Sequence, residues 1–385
     1  MSNLVEVQKS VLEWAVEESG LHNELIQNKF KYFDSWLSGE KKPTFIQLKN
    51  LSKVLRVPFG MMFMKNPPRN SSFNVEFRTI NQKIHNSFSK DLKDTLMEMD
   101  YRKSWMSEYR KNNGFNKIEF DNTITENDTA IIAKNKIMKI LRLENSWQLK
   151  IKSSYDLYNF LRHKIENLGI LVMMNGIVKN NTHRNLDIEE FRAFVLSDDY
   201  SPLIFVNRND SDYGLVFSLI HEFIHILLDQ VNDNILLDKD DLANERRVNE
   251  FTAEFLLPND ALLEVFNIEN DSINEISRIA NYFNISTTVV SIKSFNMKLI
   301  DFETHRYITE NARYHFLRTK KNREKPTGGN FYSTAASRIS KDFYNSVIHQ
   351  AEGGKIQFTE AYKLLNLKGS TYDGFKSYVN RKLYD

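Results

Sequence analysis

Five residues, His221-Glu222-Phe223-Ile224-His225, interrupt an apolar run from Leu215 to Leu228, and no other stretch constrains this chain as tightly. A spacing of four is slightly more than one helical turn, so the two imidazoles stand one above the other on one face. Both can reach a single metal ion. Glu222 can sit beside that ion without binding it and act as a general base on water. The run is apolar on nearly every side, which predicts a buried helix, and buried His and Glu require partners. Spacing and setting together predict a zinc site.

Two histidines leave a catalytic zinc incomplete; a third protein ligand is needed, with one position kept for water. The chain has no cysteine, so any zinc must use His and carboxylate, and a disulfide-stabilised scaffold is excluded. Three downstream carboxylates compete. Asp229 shares the face of His225 only if the first helix continues. Glu245 and Glu250 both lie in a second helical stretch, Leu242–Leu257. Glu245 is the best placed, because a carboxylate from a second helix closes a tetrahedron without straining the first. Asn249 falls one turn beyond it on the same face and can orient a liganding imidazole through its side-chain amide. Glu250 points about 100° away from Asn249.

At 385 residues the chain is long enough for two or three domains. Hydrophobic residues make up 41% and charged residues 26%, ordinary for a globular protein. No basic segment followed by an apolar stretch opens the sequence and no run of about 18 apolar residues exists, so neither a signal peptide nor a membrane span is expected. The expectation is a cytoplasmic protein with no membrane partner. The net charge of +2 is unevenly spread: Arg318 to Asp385 holds 13 Lys and Arg against 6 Asp and Glu, an excess that suits nucleic acid or an acidic protein surface.

Patterning divides the chain into residues 1–66, 67–152, 153–318 and 319–385. The first reads as a bundle of short helices (Val5–Glu18, His22–Phe30, Lys31–Leu37, Phe45–Leu55), with a last apolar turn from Pro58 through Met64. A Pro-, Ser- and Asn-containing linker, 66–72, follows. The second is a helical connector, with helices at 85–112 and 129–142. The third opens with a helix at Tyr155–Asn167. Short runs rich in Val, Ile, Leu and Phe come next at Gly169–Met174, Phe191–Leu196 and Leu203–Val206, which is strand grammar. Beyond the His-Glu-x-x-His helix lie helices at Leu242–Leu257, Ala261–Val265, Ile273–Phe283 and Thr288–Met297. Lys320–Gly329 is a second linker candidate, and Phe331–Tyr384 reads as three helices. The fold class is therefore mainly α with a small sheet (α+β).

His221-Glu222-x-x-His225, followed by Glu245-x-x-x-Asn249-x-Phe251-x-Ala253-x-x-Leu256-Leu257-Pro258, resembles the ImmA/IrrE family of metallopeptidases. Glu190-Phe191-Arg192-Ala193-Phe194 and Ser201-Pro202-Leu203-Ile204-Phe205-Val206-Asn207 resemble that family's strands before the metal helix. The spacing from His225 to Glu245 is also similar to gluzincins such as thermolysin. The resemblance covers roughly residues 155–300. It implies a zinc endopeptidase with His221, His225 and Glu245 as ligands and Glu222 as base, acting on a narrow protein substrate such as a repressor or antitoxin. Val248 and Thr252 stand where the family usually has Ala. An oxyanion-stabilising side chain is expected from among Tyr213, His183 and Arg192.

At the N-terminus, Leu12-Glu13-Trp14-Ala15, Ser19-Gly20-Leu21, Trp36-Leu37-Ser38-Gly39 and Pro43-Thr44 resemble a helix-turn-helix of the phage-repressor (Cro/C1) type. Lys31–Trp36 would hold the recognition helix, with Lys29, Lys31, Lys41 and Lys42 near phosphates of DNA. Trp14, Trp36 and Phe45 are expected in the core. No Arg precedes Arg56, and Asp34 and Glu40 weigh against strong DNA reading, so a protein-contact domain is an equal expectation. Glu360-Ala361-x-x-Leu364-Leu365 with Gly369-Ser370-Thr371 has a second helix-turn-helix look, and Gly328–Tyr332 resembles longer members of the ImmA/IrrE family. The resemblances favour a regulatory peptidase from a bacterium, phage or mobile element, its partner encoded by an adjacent gene. A DNA-binding regulator or antitoxin using the zinc domain as sensor or scaffold is one alternative. A toxin or antiphage protease is the other.

Overall fold

In the computed structural model, which describes residues 4–68, 76–78, 88–120, 123–145, 147–228, 239–322 and 329–384, the chain divides into two units. The first comprises Met1–Phe73 and His85–Leu96; the second comprises Asn74–Ile84 and Met97–Asp385.

The N-terminal unit holds α1 (Lys9–Ser19), α2 (Asn23–Lys29), α3 (Phe33–Leu37), α4 (Phe45–Leu55) and a 3-10 turn at Phe59–Phe63. Gly20 ends α1 in the left-handed region, φ 65°, where a residue without Cβ carries least strain. Leu12, Ala15, Ile26, Phe33, Trp36, Leu48, Leu51 and Leu55 meet in one core, with Trp14 partly buried against it. Phe45, expected inside, is instead 46% exposed. The reason is position: it opens α4, and the helical period turns Leu48, Leu51 and Leu55 inward. The first part of α5 (Lys90–Asn112) belongs to this unit, where Lys90 and Lys93 reach Glu18 at 3.1 and 2.8 Å. Residues 69–72 of the expected linker lie outside the described residues.

The larger unit is built on a four-stranded sheet, in the order β1 (Glu76–Arg78), β3 (Ala193–Leu196), β4 (Leu203–Asn207), β2 (Leu171–Asn175). β3 and β4 are antiparallel, whereas β2 runs parallel to β4. The strand β1 was not expected; it pairs antiparallel with β3, Phe77 opposite Phe194. Both faces of β2, β3 and β4 are buried. Val172, Met174, Ala193, Val195, Ile204 and Val206 join the helical core, while Phe194 and Phe205 stack on the opposite face with ring centroids 5.0 Å apart. The alternation follows the period of two.

Helices α6 (Ala130–Ile140), α7 (Ser154–Glu166), α8 (Asp212–Leu227) and α9 (Lys239–Leu256) surround that core, followed by α10 (Asn259–Val265), α11 (Ser272–Phe283), α12 (Thr287–Asn296) and α13 (Phe302–Asn322). α13 runs into the expected linker at Lys320–Gly329; residues 323–328 lie outside the described residues. The C-terminal stretch forms four helices rather than three: α14 (Phe331–Ser337), α15 (Lys341–Glu352), α16 (Phe358–Leu365) and α17 (Gly369–Tyr384). The break between α14 and α15 lets Arg338 offer its carbonyl to the Met174 N–H at 3.0 Å, covering the outer edge of β2. No described helix is long and apolar enough to cross a membrane.

Candidate metal centre

α8 is buried along almost its whole length, packed against α7, α9 and the β3–β4 pair. Ser211 caps it, accepting the Gly214 N–H at 3.0 Å. Just before the cap, Asp210 is buried, and its carboxylate pairs with Arg192 at 3.0 Å. A Cβ on Gly214 would run into that carboxylate, so glycine is what lets Asp210 lie flat against the first turn. Arg192 is therefore engaged at the start of α8. Tyr213 is half-exposed in the first turn, and His183 is exposed in the loop after β2.

Two turns further along α8 stand His221, Glu222 and His225, all buried. The two Nε2 atoms approach to 3.0 Å. From α9, Glu245 places Oε2 3.4 Å from His221 Nε2 and Oε1 3.1 Å from His225 Nε2. These three residues offer one ligand atom each, all within 4.8 Å of one another. Ligands held about 2.0–2.2 Å from a tetrahedral metal lie about 3.3–3.6 Å apart along each edge of the tetrahedron. The observed separations are close to that spacing. Two ring nitrogens and a carboxylate form a donor set that suits a borderline-soft divalent cation, so the residues fit a metal ion.

Burial alone pushes the Glu245 carboxyl up. Hydrogen bonds from His221 and His225, and their charge, outweigh it and hold the group well below the usual carboxylate range. The ionised form of the carboxyl is therefore the favoured one. About a quarter of the Glu245 side chain remains exposed, so the centre opens to solvent on that side. Asn249 lies half-buried one turn beyond Glu245, while Glu250 is exposed. Asp229 lies outside the described residues.

The two departures in α9 are accommodated. Val248 and Thr252 are fully buried, and the Thr252 hydroxyl donates to the Val248 carbonyl at 2.7 Å, so no polar group is stranded. Gln148, which the sequence did not single out, closes the end of α9 by donating to the Leu256 carbonyl at 2.8 Å.

The four lysines singled out in the N-terminal unit are all exposed. Lys29 ends α2 and Lys31 lies in the turn after it. Lys41 sits over the Tyr32 ring at 4.2 Å, and Lys42 meets Glu6 at 3.5 Å. Between them α3 is only five residues long, buries Phe33 and Trp36, and carries Asp34, which accepts a hydrogen bond from Gln27 at 2.9 Å.

Comparison with known families agrees with the geometry. Residues 165–294 match the family model of the IrrE N-terminal-like domain (Peptidase_M78), and residues 339–377 match that of a domain of unknown function (DUF8813). No curated protein matches the chain. The first match contains β2–β4, α8 and α9, and it supports a metallopeptidase of the IrrE/ImmA type over those residues.

Proposed function

We propose that the chain is a zinc-dependent endopeptidase that cuts a specific regulatory protein, of the repressor or antitoxin kind, encoded beside it. The observation that carries the reading is the His221–His225–Glu245 donor set, with Glu222 buried next to it on α8. Zinc held there would act as a Lewis acid on a peptide carbonyl and make water more acidic. Glu222 takes the proton from the attacking water and passes it to the departing amine. His221, His225 and Glu245 would hold the cation, and Asn249, one turn beyond Glu245 on α9, is the residue we assign to orient one of the imidazoles. The helices and strands around α8 keep these groups fixed, which spares reorganisation during the reaction. Narrow specificity, rather than digestion, is supported by the modular build: a separate N-terminal helical unit, and five helices among the described residues after the peptidase match.

A Glu222→Gln variant tests the reading. It should keep stoichiometric zinc and lose about 10³-fold or more of the cleavage rate. Cleavage is read by co-expressing the products of neighbouring genes and sequencing the new N-termini. Unchanged cleavage by the variant would overturn the assignment of the base, and with it the peptidase reading.

A further inference from the structure

We propose that an exposed apolar face of the N-terminal unit docks an acidic, amphipathic segment of a partner protein. The face is built around the start of α4. Thr44 caps that helix through a reciprocal pair: its hydroxyl accepts the Gln47 N–H at 3.2 Å, and Gln47 Oε1 accepts the Thr44 N–H at 2.8 Å. With Leu48, Leu51 and Leu55 turned inward, Phe45 and Ile46 are left outside, 46% and 70% exposed. Phe45 packs edge-on against Phe59 at 4.9 Å, and Phe59 against Phe63 at 5.0 Å. Phe63, Met64 and Leu4 are exposed too, and the Leu4 backbone bridges to Thr44, the residue before Phe45. Single exposed apolar residues are ordinary; a contiguous group is the mark of a binding surface.

The charge around this face is one-sided. From Lys41 to Pro68 the chain carries Lys41, Lys42, Lys49, Lys53, Arg56 and Lys65 and no Asp or Glu. Arg56 is matched by Asp91 and Lys42 by Glu6. Lys49, Lys53 and Lys65 make no ion pair among the described residues. Ile46, Lys49 and Lys53 follow the i, i+3, i+7 spacing of one helix stripe, so two cationic groups continue the line of the apolar one. A partner that complements this face has apolar anchors flanked by Asp and Glu, laid down as an amphipathic helix. Single-stranded nucleic acid fits less well. Ile46, Leu4 and Met64 offer no ring to stack on, and the phenylalanines meet one another edge-on. The proposal stands independently of the peptidase reading.

Fluorescence anisotropy on the full-length protein tests it, with four labelled probes. These are a synthetic amphipathic helix with Leu and Phe on one face and Glu on the other, the same peptide with Lys in place of Glu, oligothymidine, and phosphatidylserine vesicles. Ile46→Asp lies in the first turn of α4, where an acidic residue favours the helix, so the unit should stay folded with an unchanged thermal midpoint. The expected result is binding of the acidic peptide alone, weakened roughly tenfold by Ile46→Asp and by the Lys49→Glu/Lys53→Glu pair. Equal binding of both peptides would overturn the proposal, as would binding confined to oligothymidine or vesicles. So would loss of a homodimer in sedimentation on Ile46→Asp, which would make the face a self-interface.

Discussion

Glu245 brings together two requirements that oppose each other, a partly buried position and a full negative charge, and the two imidazoles beside it reconcile them. Its neighbour Glu250 has the same side chain without that setting. Glu245→Gln should therefore weaken zinc binding at least about 100-fold, Asn249→Ala about tenfold, and Glu250→Gln not at all. Competition against a chromophoric chelator measures all three; loss of metal in Glu250→Gln with retention in Glu245→Gln would reverse the ligand assignment. This part of the site was legible in the sequence because helical spacing fixes which side chains share a face. Burial of an apolar helix then leaves few roles for His and Glu. Phe45 was not legible. Aromatic composition signals a core, but its place at the first turn of α4 puts it outside, and that depends on where Thr44 caps the helix.

Elements were read from their periods, and those without a strong period were missed. α13 is one: it carries charge along most of its length, and of its described side chains only Ile308 is fully buried. β1 is another, since three residues cannot show alternation and the strand exists through pairing with β3. α8 was legible as a helix, and so was its start, since Asp210–Asp212 are capping residue types and Ser211 is the cap. The close approach of Asp210 to Gly214 was not, because the two meet only in the folded chain. Gly214→Ala separates two effects. Ala is the better helix former by about 1 kcal/mol, but the added methyl would strike the Asp210 carboxylate. Overpacking in a buried site costs about 1–3 kcal/mol, so the collision wins and the thermal midpoint should fall. In an Asp210→Ala background the same Gly214→Ala change should cost less, because the group it strikes is gone. Equal costs in both backgrounds, read by calorimetry, would remove Asp210 as the cause.

At the scale of the whole chain, the stretch that matches a peptidase family is smaller than the unit that folds. Three buried arginines tie the C-terminal helices into that unit. Arg162 on α7 donates to the carbonyls of Ser337 and Ile339 at 2.6 and 2.8 Å, as well as to Val172 on β2. Arg110 on α5 bonds to the carbonyls of Gly169 and Tyr200 and pairs with Asp342 at 2.6 Å. Arg102 donates to the Leu364 carbonyl at 2.9 Å. The local sequence shows the C-terminal stretch as basic helices, and its attachment depends on partners 164 to 262 positions away, as for Met174 with Arg338 or Arg102 with Leu364, which periodicity cannot register. Because α7 packs on α8, the carbonyls of residues 337 and 339 lie one helix away from the metal-binding helix. Ending the chain after Gly328 would strip acceptors from buried guanidinium groups, at about 1–3 kcal/mol for each buried hydrogen bond left unmade, and would uncover the β2 edge. Summed over the three arginines, that is comparable with the whole margin of most domains, about 5–15 kcal/mol. The truncated chain should therefore lose cooperative unfolding of the larger unit and stoichiometric zinc together. A truncated chain that binds one zinc and unfolds at the full-length midpoint would show that the C-terminal helices are an appended module.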